Sequence, residues 1–218
     1  SLFQTLFNIV DTFFAGQISS NALSALAKSF PLYFIIISAG IGIVAGCNSL
    51  ISNSLGQRNR FAALIYTYHT LIYAVILSII LTILGILFSY EILKLMGSSS
   101  DSIFLAKKYT DIIFFGTIFF LILTSLNAVL YAQGDTKTYR NILIIGLFAN
   151  IILNPIFIFG FLFIPAFGIA GLALSTILIQ FCACIYIFYK VNKTVLKIVL
   201  KRENFLIRKN FFINIFNQ

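Results

Sequence analysis

The chain has 218 residues, 60% hydrophobic and 10% charged, with a mean hydropathy of +1.03 and a formal net charge of +9. Soluble globular domains carry about 25% charged residues, so this composition excludes a soluble fold. The basic side chains lie mostly in short breaks between apolar runs and in the C-terminal tail, a pattern of membrane orientation and anionic lipid rather than of nucleic-acid binding.

Six apolar segments follow in chain order. The first runs from Leu2 to about Gly16 and is interrupted by Asp11. It is short for a span and reads as a truncated first helix. No charged region or small-residue cleavage pattern precedes it, so it does not read as a signal peptide. Gln17 to Ala27 is small and polar and predicts a turn. The second segment, about Phe30 to Leu55, carries no charge and places Pro31 in its first turn, where proline costs least. Gly56 to Arg60 is a polar connector, and the third segment covers about Phe61 to Tyr90. Glu91 to Lys108 reads as a mixed loop, followed by the fourth segment, about Asp111 to Tyr131. Gly134 to Lys137 is a turn with Asp135 placed to cap the next helix. Asn141 to Tyr189 contains no charge and is too long for one span. Gly160 to Gly168, with Pro165 inside, divides it into the fifth and sixth segments. The tail, Lys190 to Gln218, alternates basic and apolar residues and predicts an amphipathic helix on a membrane surface.

These runs are continuously apolar rather than alternating, which argues against a β-barrel. The expected fold is therefore an all-α membrane protein, with six transmembrane helices over 1–189 and a linker over 190–218. With the first helix starting in the cytoplasm, Arg58, Arg60, Lys137, Arg140 and every basic residue of the tail lie inside. Lys28, Lys94, Lys107 and Lys108 lie outside. That is eleven against four, and the positive-inside rule favours this orientation, with both ends cytoplasmic.

Few residues carry chemistry. Asp11 is a carboxylate inside a span, which costs about 2.5–3.5 kcal/mol on insertion scales and so marks a cavity or a partner. Desolvation favours the neutral form of a carboxyl group, which suits proton exchange. The alternative is a wetted, idle position near a helix end. Asn150 and Asn154 share one helix face at i, i+4, and Pro155 frees a carbonyl beside them. Facing a carboxylate, they would make a pocket for a proton or small cation; otherwise they are interhelical amide glue. Thr176 and Gln180 repeat the spacing on the sixth segment, although hydroxyls in membrane helices mostly bond to their own backbone. Gly40, Gly42 and Gly46 have helix-packing spacing. Cys47, Cys182 and Cys184 lie in apolar runs and read as small buried side chains, neither disulfides nor metal ligands. His69 is the one histidine. No phosphate-binding glycine-rich loop or H-E-x-x-H occurs, so no enzyme activity, cofactor or metal site is expected.

Several stretches together resemble the multidrug and toxic compound extrusion (MATE) transporters. They are Gln4 to Thr12 followed by Phe14-Ala-Gly16, Ala22 to Ala25 with Phe30-Pro31, and Ser54-Leu-Gly56-Gln. Ala132 to Thr138 is the most specific; Asn150 to Pro155, Phe159-Gly160 and Gly168 to Thr176, leading to Gln180, complete the set. The resemblance covers essentially the whole chain. It implies one six-helix lobe of a twelve-helix antiporter that exports organic compounds, cations by the acidic span, through alternating access. A second six-helix lobe would be missing, with the tail as the cytoplasmic linker to it. By resemblance, Asp11 corresponds to the cation-coupling acid, Asn150 and Asn154 to the polar pair of the fifth helix, and Thr176 to a polar position of the sixth. Asn8 and Gln180 are substrate-cleft candidates. Many relatives carry an acid where this sequence has Asn154, which leaves H+ and Na+ both open as the coupling ion.

A lipid-linked saccharide flippase of the same superfamily is the nearest alternative, but it would favour basic residues in the spans. A channel or a non-transporting membrane fragment is a different class; a pore should show polar rings along a helix, whereas the polar positions here cluster at one depth. The bias toward Ile, Phe, Lys and Asn points to an AT-rich bacterial genome, and so to the inner membrane. The partners expected are the bilayer, a small organic substrate and the second lobe.

Overall fold

The computed structural model describes residues 2–97 and 100–198. They form α1 (Leu2–Ile18), α2 (Ser20–Gly56), α3 (Arg60–Leu95), α4 (Ser100–Ala132), α5 (Lys137–Phe159) and α6 (Ile169–Val191). The fold is all-helical, as expected. Five helices, α2 to α6, are long and apolar enough to cross a membrane. α1 has 17 residues, short of the roughly 20 that a span takes. α2, with 37 residues, is about 55 Å long and outruns the hydrocarbon core of about 30 Å.

Three segment boundaries differ from expectation. The stretch from Gln17 to Ala27 is helical except at Ser19, whose extended backbone separates α1 from α2 and whose Oγ accepts the Ala22 N–H at 3.0 Å. Ala22, Ala25, Leu26 and Ser29 are buried; their i, i+3, i+4, i+7 spacing is a helix stripe hidden by the small polar residues between them. Pro31 consequently lies well inside α2, not in its first turn. The predicted loop from Glu91 to Lys108 is also mostly helix. α3 runs on to Leu95, Gly97 turns the chain at φ 66, and α4 begins at Ser100. Ser102, Ala106, Tyr109 and Ile113 form the buried row of this extra length, and Lys107 pairs with Asp111 one turn on. In the tail, α6 ends at Val191 and the residues to 198 form turns. The rest of the predicted amphipathic helix lies outside the described residues.

α4 is the centre of the bundle. Of its most apolar stretch 72% is buried, against 11% for α3. α2, α3 and α6 pack on α4, α5 packs on α6, and α1 bridges α5 and α2. The helices α1, α2, α4, α6 and α5 therefore close a ring, with α3 outside it against α2 and α4. Gly40 lets α2 approach α4: a Cβ there would lie 3.0 Å from the Phe120 ring, whereas Gly42 faces open space. Gly171 brings α6 against α5 so closely that a Cβ would stand 2.3 Å from the Phe157 carbonyl oxygen.

Helix order puts Lys28, Lys94, Lys107 and Lys108 toward one end of the bundle. Lys28 Nζ donates to the Gly97 carbonyl at 2.6 Å, tying α2 to the α3–α4 connection there. Arg58, Arg60, Lys137, Arg140, Lys190 and Lys193 lie toward the other end. Among the cysteines, Cys47 and Cys184 are buried but Cys182 is exposed, against expectation, because it stands on the outward side of α6.

Candidate functional site

The buried face of α5 is a row of every fourth residue: Thr138, Ile142, Gly146, Asn150, Asn154 and Ile158. Two amides in an apolar row need partners, because an unmet polar group away from water costs about 1–3 kcal/mol. α1 supplies the partner. Asp11 Oδ1 accepts from Asn150 Nδ2 at 3.0 Å and from Asn154 Nδ2 at 2.8 Å. The two amides also bond to each other, at 3.2 and 3.4 Å. Ser175 of α6 donates its hydroxyl to Asn154 Oδ1. Three helices are thereby knotted at one depth. Each amide proton on the carboxylate offsets part of the cost of taking that charge from water. Pro155 has no N–H, so the Ile151 carbonyl one turn back loses its helical donor.

The knot forms part of the wall of a cleft inside the helix ring. The cleft holds about 750 Å³, its open mouth included. Asp11 and Asn8 of α1 and Thr176 and Gln180 of α6 line it, among the rings of Phe7, Phe30, Tyr33, Tyr109, Phe120 and Tyr139. Among the described residues, Asp11 is the only charged one in that lining. Asp11, Asn150 and Asn154 are thus in direct contact. Thr176 lines the cleft but bonds to its own helix, its Oγ1 donating to the Leu172 carbonyl at 3.1 Å. Asn8 and Gln180 share the cleft with no hydrogen bond to the knot among the described residues. Gln180 Oε1 is buried with no hydrogen-bond partner among the described residues. His69 is buried elsewhere, its Nδ1 2.9 Å from the Ile65 carbonyl of its own helix.

The sequence reading missed Ser175 and the three tyrosines. Ser175 and Thr176 are neighbours on α6, so only the buried row through Leu172, Thr176, Ile179 and Ala183 tells which hydroxyl looks where. Tyrosine was too abundant, at 10 residues, for any one to stand out.

Helices long and apolar enough to cross a membrane, packed around this cleft, define a multi-pass membrane protein. The MatE family model matches residues 1–156, and the chain belongs to the MATE family of multidrug efflux transporters. It is 34% identical over 160 residues to the probable multidrug resistance protein YoeA of Bacillus subtilis, covering 72% of this chain and 34% of that protein. It is 31% identical over 171 residues to an FAD transporter of Shewanella oneidensis, covering 78% and 38%. The probable multidrug resistance protein NorM of Thermotoga maritima is 29% identical over 209 residues, covering 96% and 43%. The chain thus spans less than half the length of the curated relatives it matches. Among solved structures, an inward-facing multidrug resistance MATE transporter superposes with a TM-score of 0.89 and an outward-facing one with 0.87. Both are 26% identical and cover 98% of this chain, and 48% and 47% of theirs.

Proposed function

We propose that this chain is one six-helix lobe of a cation-coupled antiporter that exports organic cations by alternating access. The observation that carries the reading is Asp11, held by two amides in the wall of an otherwise uncharged aromatic cleft. A carboxylate so placed takes either a proton or a small cation, with amide oxygens of Asn150 and Asn154 at hand for a cation. Loading Asp11 changes what Oδ1 accepts and so biases the packing of α1 on α5. A ligand shifts a conformational equilibrium only by its differential affinity for the two states, and the knot is where that difference arises. Aromatic faces around one acid favour a lipophilic cation. Asn8, Thr176 and Gln180 supply polar contacts to it.

Both ends of the lobe lie in the cytoplasm and the bilayer is a bacterial inner membrane, in keeping with the excess of basic residues at one end. The second lobe completes the cleft, in keeping with the share of the MATE structures that this chain covers. The lobe alone does not transport. Ethidium efflux tests both statements in cells expressing this lobe fused to a second one, with Asp11 or with Asp11→Asn. Loss of gradient-driven efflux at equal expression supports Asp11 as the coupling group. Undiminished efflux moves coupling elsewhere. Efflux by the 218-residue chain alone, with dimers excluded, overturns the need for a second lobe.

A further inference from the structure

Beyond the close approach at Gly171, α5 and α6 bound a second hollow on the outer side of the ring. It is a groove of about 840 Å³, open side included, lined by Ile145, Ala149 and Leu153 of α5 and by Leu178, Cys182 and Tyr186 of α6. Among the described residues, none in its lining is charged. Ile142, Gly146, Ile179 and Ala183 line both this groove and the aromatic cleft, so the wall between them is one side chain thick.

The two helix rows that form the groove end in lysine at the same end of the bundle. On α5 the row steps from Leu153 through Ala149, Ile145 and Asn141 to Lys137. On α6 it steps from Leu178 through Cys182 and Tyr186 to Lys190. Lys190 Nζ stands 5.6 Å over the Tyr186 ring. Lys193 Nζ stands 4.3 Å over Tyr189. Arg140 reaches the Asn141 amide oxygen at 3.4 Å. Among the described residues the acid at this end is Asp135, already engaged by the Thr138 hydroxyl and by the N–H groups of Lys137 and Thr138. Lys137 and Arg140 of α5 and Lys190 and Lys193 at the end of α6 therefore stand, among the described residues, with one occupied carboxylate at the end of the bundle toward which the groove runs. From Leu153 to Asn141 the α5 row covers about 18 Å, close to the depth of one bilayer leaflet, about 15 Å.

We propose that an anionic phospholipid of the leaflet at the basic end seats in this groove. Its phosphate lies between Lys137 and Lys190, and one acyl chain runs past Tyr186 and Cys182 toward Leu153. There it forms the bilayer side of the thin wall and seals the aromatic cleft from the membrane. The inference rests on the helical lobe and its membrane setting, not on cation coupling.

Native mass spectrometry of the 218-residue chain in mild detergent, with equal phosphatidylglycerol and phosphatidylcholine added, tests the charge. One phosphatidylglycerol is retained in preference. Lys137→Gln with Lys190→Gln lowers that retention roughly thirtyfold, while Lys94→Gln with Lys108→Gln, at the opposite end, leaves it unchanged. Ala149→Phe fills the groove and also lowers retention. A second measurement needs no variant: phosphatidylglycerol, and not phosphatidylcholine, slows alkylation of Cys182 by N-ethylmaleimide. Equal retention of the two lipids, equal loss in both lysine pairs, or alkylation indifferent to phosphatidylglycerol overturns the proposal. A lipid-free dimer with Cys182 protected assigns the groove to a second copy of the chain and overturns it too.

Discussion

On α3 and α4, Thr67, Thr70, Thr117 and Ser125 are as deeply buried as Asn150 and Asn154 on α5. Their hydroxyls donate to carbonyls of their own helices, at 2.9, 2.7, 3.3 and 2.8 Å. The amides of α5 instead bond across to α1 and α6. Burial and polarity alike are the same in the two regions; the reach of the side chain differs. A hydroxyl one atom from Cβ closes onto the i−4 carbonyl. An amide extends past its own backbone, and its two donors and its acceptor need separate partners. The four hydroxyls of the first set bond within their own helices, whereas the two amides of the second fasten one helix to another.

The sharpest way to break this comparison is Asn154→Leu. It leaves Ser175 without its acceptor on α5 and Asp11 with one amide, and should cost about 2–4 kcal/mol in an SDS-unfolding titration followed by circular dichroism. A loss no larger than that of a hydroxyl on α4 would erase the distinction. Next in size is the Asn154–Ser175 coupling. A cycle of Asn154→Leu, Ser175→Ala and the double variant should return about 1 kcal/mol, within the span measured for hydrogen bonds between membrane helices. A value near zero would show that Ser175 is held by the Leu172 carbonyl, which it also reaches at 2.9 Å.

Asp135 is a third arrangement, a local one at the water-facing turn. Although its partial burial opposes the charge, the Thr138 hydroxyl and the N–H groups of Thr138 and Lys137 hold its carboxyl below the usual range, with Lys190 assisting. Asp135→Ala should cost about 1 kcal/mol at neutral pH. Because the folded form binds the proton more weakly than the unfolded one, this stabilisation is complete above the ordinary carboxylate value, about 3.9. It is lost as pH falls through the lower folded value. The difference between parent and variant should therefore be flat from pH 5 to 7 and shrink only in stronger acid. Smallest of all, Thr117→Val and Ser125→Ala should each stay within about 0.5 kcal/mol of the parent, since each removes both a donor and its need.

The architecture was readable to the extent that charge-free runs mark spans. Asp11, Asn150 and Asn154 stood out because an acid and paired amides are rare in such runs, and the structure joins them. Helix ends near the membrane surface were not readable. Ser20, Asn21 and Ser24 look like a turn, but Ala22, Ala25 and Leu26 between them pack inward. Lys107 looks like part of a loop, yet it pairs with Asp111 at i, i+4 on one helix. Ser175 escaped because adjacent hydroxyls differ only in direction, and direction depends on where the helix begins.

The contact of Gly171 with the Phe157 carbonyl gives α5 and α6 a fulcrum. From Gly171 to Lys190 is about 28 Å along the helix, so a swing of about 5° there displaces the lysine end by roughly 2.5 Å. A side chain at position 171 would not merely crowd the joint. It would move the bearing of a lever whose far arm carries Tyr186 and Lys190, and so change the width of the groove at the distant end of the bundle.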